Sequence, residues 1–152
     1  MNKYLCGALA GLVATLPMTM VMLLLHEQLS RHEKHPLPPE EITGKLASRA
    51  GVQKHWSQTQ QQVAAWMAHF GFGAGAGLLY GPLAEQVRMP PALKGAAFGL
   101  LVWAASYLGW LPGTGILNQP KKQPARPNGL MIVAHLVWGA TLGLLTEQNT
   151  KK

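Results

Sequence analysis

Three histidines, His26, His69 and His135, stand inside or at the end of stretches that carry no charge, in a chain of 152 residues. Ahead of the first, Met18, Met22 and His26 recur every four residues and so share one helix face, while Met20 points elsewhere. Imidazole ligates haem iron, copper or zinc, and it relays protons near neutral pH. A Met/His set suits Cu(I). His69 and His135 on facing helices suit instead the two axial positions of a b-type haem. The candidate metal or haem set is therefore His69, His135, His26 and Met22. Packing is the quieter alternative. A neutral histidine in a bundle can donate one hydrogen bond and accept another, with no ligand capacity left over. Trp66 and Trp138, each three residues from a histidine, offer ring contacts, and methionines at helical spacing usually fill a core. Proton or solute traffic is a third reading, because a buried imidazole resists charging and can be poised to titrate.

Other chemistries find little material. HEQLS at His26 and HEKHP at His32 both miss the zincin pattern H-E-x-x-H, the first through Ser30 and the second because His35 comes one residue early. His32, His35 and His55 read as solvated loop residues, the first two able to join a labile metal site. The chain has no Asp, and Glu40 and Glu41 point to different helix faces, so paired-carboxylate catalysis has no site. No serine or cysteine has an evident base beside it. A single Cys6 excludes an intrachain disulfide and a multi-Cys zinc site. No catalytic residue is expected.

What positions the histidines follows from where the charges are not. Only 12% of the residues are charged, against about 25% in typical globular chains. Val, Leu, Ala, Gly, Met and Trp gather in four blocks with nearly every charge between them. Tyr4 to Leu25 is long enough for a bilayer core about 30 Å thick, which needs about 20 helical residues. It ends in HEQ without a small-residue cleavage site, so it reads as a retained span and not as a signal peptide. The other spans are expected at approximately 63–84, 93–111 and 129–146, the last two near the lower length limit. Pro112 is expected to end the third, and Pro17 removes a backbone bond to Val13 that could make a hinge in the first. His69 and His135 then lie about six residues into their helices from the same surface, about 9 Å deep at 1.5 Å per residue, with His26 at that surface.

The connections differ in character. In the first, PPEEITGKLASRAGV predicts an amphipathic helix over approximately 39–51, with Pro39, Glu40 and Glu41 at its start and Ile42, Leu46 and Ala50 on one face. It is expected to lie on the membrane or to cap the bundle. The second, around Glu85 to Pro91, is tight. The third, NQPKKQPARPNG, is basic and expected to be extended. A formal charge of +7 invites nucleic acid as a partner. The basic residues flank apolar blocks, however, and do not form a face with stacking aromatics, so the lipid bilayer is the expected partner and nucleic acid is not. Arg31, Lys34, Lys45, Arg49, Lys54, Lys121, Lys122 and Arg126 on the side of the first and third loops outnumber Lys3, Arg88, Lys94, Lys151 and Lys152 on the other. The positive-inside rule then makes the termini periplasmic.

Glycine is the remaining pattern. G-x-x-x-G occurs as Gly7/Gly11, Gly71/Gly75, Gly73/Gly77, Gly77/Gly81, Gly95/Gly99 and Gly139/Gly143, in every block. WMAHFGFGAGAGLLYG is no dinucleotide loop, since it lacks the preceding strand and the acidic residue that a ribose needs. In lipid, small residues let helix backbones approach closely. The chain is thus expected to be all-α, one membrane domain over 1–152, a four-helix bundle with a short interfacial helix in its first loop. GALAGLVATLPMTMVM, LPPEEITGKL, AHFGFGAGAGLLYG, GLLVWAASYLGWLPGTG and MIVAHLVWGATLG resemble the YagU-like small bacterial inner-membrane proteins. The resemblance implies a polytopic inner-membrane protein and carries over no catalytic residue. The expected role is a non-enzymatic helix-packing or accessory module, working with its own copies or with another membrane protein through its glycine faces. The alternatives are a haem- or copper-binding protein and a small proton-coupled transporter or channel subunit.

Overall fold

The structure is a computed structural model that describes residues 2–117 and 125–150. The described residues form helices and turns with no strand. They comprise α1 (Lys3–Glu27), α2 (Pro38–Arg49), a 3-10 turn (Gln53–His55), α3 (Gln58–Ala84), α4 (Pro91–Ala104) and α5 (Ala125–Thr150). α4 runs on through a π-helical segment (Ala105–Trp110) and one further turn (Leu111–Gly113).

Local chemistry sets these limits. The Asn2 side chain accepts from the Tyr4 N–H at 3.0 Å and caps α1, which passes through Pro17 without a break. α3 begins earlier than its apolar block because Ser57 and Gln60 form a reciprocal capping box. Pro112 does not end the third apolar helix. It sits in the turn that follows the π segment, and that turn ends at Gly113, with Gly115 just beyond at a φ of +67°, the left-handed geometry that follows a helix C-cap. There the Ile116 N–H reaches the Leu111 carbonyl at 2.9 Å, which turns Ile116 and Leu117 into the core. The third loop is helical from Ala125, with Pro127 in the first turn where its missing N–H costs little. The extended conformation expected for that loop otherwise falls on 118–124, outside the described residues.

Among the described residues, three helical stretches are long and apolar enough to cross a membrane: Lys3–Glu27, Pro91–Gly113 and Ala125–Gln148. α3 is not among them. It is 27 residues long, but its glycines and His69 dilute its apolar stretch.

α1 and α5 form the centre. α1 packs along α3 on one side and α5 on the other, and α5 packs along α4, while α3 and α4 barely meet. Two of these interfaces are glycine crossings. A Cβ at Gly7 or Gly11 would overlap the carbonyl of Gly77 or Gly73, and one at Gly77 or Gly81 would overlap that of Gly7 or Lys3. The α4–α5 crossing repeats this with Gly95 and Gly99 against Gly139 and Gly143. At Gly73 the neighbours are Thr15 and the Gly11 carbonyl. Gly71 and Gly75 meet nothing within 4 Å, so they lie on the face of α3 away from α1. α1 and α5 are held by the Trp138 indole, whose Nε1–H donates to the Gly11 carbonyl at 3.2 Å, with Phe98 and Tyr80 extending the aromatic contact.

α2 packs on α3 and closes one end of the bundle. Lys45 Nζ donates to the Ile116 carbonyl at 2.6 Å and Arg49 to the Thr114 carbonyl at 2.7 Å, so the helix is tied to the turn that ends the third apolar stretch. Its buried residue is Ala47, whereas Ala50 is exposed. At the opposite end Lys3 pairs with Glu85 at 2.9 Å, and Lys94 donates to the Ala84 carbonyl at 2.6 Å.

Candidate binding cavity

All five helices contribute to a cavity of about 210 Å³ under α2. α1 supplies Thr15, Met18 and Met22; α2 supplies Ile42, Thr43 and Leu46; α3 supplies His69 and Phe72; α5 supplies Met131, His135 and Trp138. The π segment supplies Ser106, Tyr107 and Trp110. A π turn adds a residue to the helical repeat and so re-aims the side chains that follow, which is why such turns recur at functional sites. Ser106 and Tyr107 are both buried at this position.

The two histidines therefore face one space, but they are held differently. His135 Nδ1 lies 2.7 Å from the Met131 carbonyl. A carbonyl only accepts, so Nδ1 carries the proton and Nε2 keeps its lone pair. His69 stands between Trp66 and Phe70, with ring centroids 6.1 Å and 5.9 Å away. Its Nε2 is buried and has no hydrogen-bond partner among the described residues. A buried polar nitrogen without a partner costs about 1–3 kcal/mol, which a ligand able to bond it would recover.

Met18 and Met22 are buried against the cavity, and Met20 is 63% exposed on the outer side. His26 is not part of this set. Its Nε2 is 3.0 Å from the His35 carbonyl, and it lines a second depression of about 360 Å³ together with Glu33, His35 and Glu41. Pro38, Tyr107 and Met131 line both spaces and form the wall between them. Glu33 accepts from the Ser30 hydroxyl, and that bond, reinforced by Arg126 at 3.8 Å, holds its carboxyl below the usual range against the opposing effect of desolvation. Among the described residues no group of three or more His, Cys, Asp or Glu converges on a point.

Volume separates the two metal readings. Drug-sized ligands occupy pockets of about 300–1,000 Å³, and a porphyrin needs more than a cavity of 210 Å³ provides. A haem between His69 and His135 would therefore have to displace the lining, whereas an ion or a small molecule would not. The sequence pointed to the histidines and methionines but not to Thr15, Ser106, Tyr107 or Trp110. Polar Ser106 and Tyr107 inside an apolar block were the available signal.

Long apolar helices packed through glycine define the chain as an all-helical membrane protein. It belongs to the family of unknown function DUF6789, whose model matches residues 1–152. Nothing in that match ties the chain to the YagU-like group. No curated protein and no solved structure matches it.

Proposed function

We propose that the protein is a four-span component of the bacterial inner membrane, with periplasmic termini, that holds a small ligand between His69 and His135 and performs no catalysis. The observation that carries this is the His69 Nε2, buried without a hydrogen-bond partner among the described residues, at a mainly apolar cavity under α2. α3 counts as the fourth span on two grounds. It lies against α1 through backbone contact at Gly73, Gly77 and Gly81, so a lipid environment around α1 extends to α3. Its outer face also exposes Val63, Met67, Leu78, Leu79 and Leu83, a continuous apolar surface that water would penalise. The orientation rests on the Lys and Arg excess of the first and third loops.

The test uses 4-fluorophenol, a ring with one hydroxyl, followed by 19F NMR of the detergent-purified protein. A bound resonance is expected that is absent from empty micelles. It should disappear in Ser106→Leu, which fills the cavity from the π segment, and in Thr43→Phe, which fills it from α2, each with helicity retained. A spectrum identical for wild type and both filled variants contradicts the proposal.

A second reading, association with another copy or another membrane helix, keeps one piece of support. Most glycine faces are occupied within the chain, but Gly71 and Gly75 lie outward at G-x-x-x-G spacing.

A further inference from the structure

We infer that the cavity is a Cu(I) site with Met18, Met22, His69 and His135 as its donors, an inference that rests on the cavity being a ligand site. The four side chains come from α1, α3 and α5 and line one cavity. Two of them are thioethers, which favour soft Cu(I) and add little for Zn²⁺ or Mg²⁺. The two imidazoles offer nitrogen ligands. The Met131 carbonyl fixes His135 with Nδ1–H occupied and Nε2 free, the kind of outer contact that sets tautomer and orientation in metal-bound histidines. His69 Nε2 is buried and has no hydrogen-bond partner among the described residues.

Charge points the same way. No Asp or Glu lines the cavity, so a divalent ion bound by four neutral donors would keep its full charge among mainly apolar side chains, where uncompensated charge is costly. A monovalent soft ion carries half that charge. Closing the shell asks the donors to come within about 2.0–2.3 Å of a common point, and methionine, with three rotatable bonds, is suited to move inward. Copper enters and leaves as Cu(I), so no electron transfer is involved.

The test is an anaerobic titration of detergent-purified full-length protein with Cu(I) in competition with bicinchoninate, with Ag(I) as a redox-inert second probe and Zn(II) as a control. One Cu(I) per chain is expected, with Ag(I) displacing it and Zn(II) not doing so. His69→Gln, His135→Gln and the volume-conserving pair Met18→Leu with Met22→Leu should each weaken Cu(I) binding by at least about 10-fold. X-ray absorption should lose its sulfur scatterers in the methionine variant, a change that a packing role would not produce. Failure of the wild type to compete with the chelator, or wild-type affinity retained in the histidine and methionine variants, overturns the inference. If the bound fluorophenol resonance appears without Cu(I) uptake, the copper assignment falls and the cavity reading stands; if neither appears, both fall.

Discussion

Gly77→Leu is expected to abolish stable folding, whereas Gly75→Leu, two residues away on the same helix, leaves the fold intact. The difference follows from what each position faces. A side chain at Gly77 meets the Gly7 carbonyl and the Cα of Gly11, both backbone, so nothing flexible can yield. One at Gly75 meets open space. Overpacking a core usually costs about 1–3 kcal/mol. Here relief requires α1 and α3 to separate along their length, so the loss should exceed that range and appear as aggregation or failure to survive detergent extraction. Thermal unfolding followed by circular dichroism separates the two variants. Gly75→Leu also addresses association: if the outer glycines of α3 seat a partner copy, the variant folds normally while crosslinked dimer in native membranes gives way to monomer. An unchanged crosslinking pattern removes that reading's support.

Trp138→Ala should show the second large effect, a loss of about 3–5 kcal/mol, the usual range for truncating a buried Trp. The indole is 2% exposed, packs on Phe98, and ties α5 to α1 through the Gly11 carbonyl. Trp138→Phe keeps much of the ring contact and removes only the hydrogen bond. The Gly11 carbonyl still accepts from the Thr15 hydroxyl at 2.8 Å, so the cost should fall to about 0.5–1.5 kcal/mol. SDS titration of the purified protein, read by helicity, measures both. If the two variants lose the same amount, the bond rather than the packing holds α1 to α5.

How much of this the sequence makes legible depends on the element. The apolar blocks mark the long helices because lipid or a buried bundle centre demands uncharged residues over many turns. The shared face of Met18 and Met22 follows from a four-residue spacing. The glycines of α3 are ambiguous for a geometric reason: Gly71/Gly75 and Gly73/Gly77 both satisfy G-x-x-x-G, and a shift of two residues rotates a helix by about 200°. The choice between them is made by α1, where Gly7, Gly11 and Thr15 receive the second set. The start of α3 is written in Ser57 and Gln60, a local cap that hydropathy alone overlooks. The π segment has no periodic signature, so the positions of Ser106, Tyr107 and Trp110 at the cavity, and the continuation through Pro112, emerge only from the fold. His26 continues the methionine face by spacing, but α1 ends at Glu27 and the His35 carbonyl takes the ring into the outer depression.

The account stands on α3 lying in lipid against α1, since only then is the cavity between His69 and His135 an intramembrane site. Single cysteines in a Cys6→Ser background test this: Met67→Cys and Leu79→Cys replace residues 72% and 60% exposed on the outer face of α3, and Thr59→Cys marks its first turn. In native membranes opened to both sides, Thr59→Cys should react with a water-soluble, lipid-impermeant maleimide, while Met67→Cys and Leu79→Cys should react only with a membrane-partitioning one. Equal labelling of all three by the impermeant reagent would place α3 in water and contradict the account.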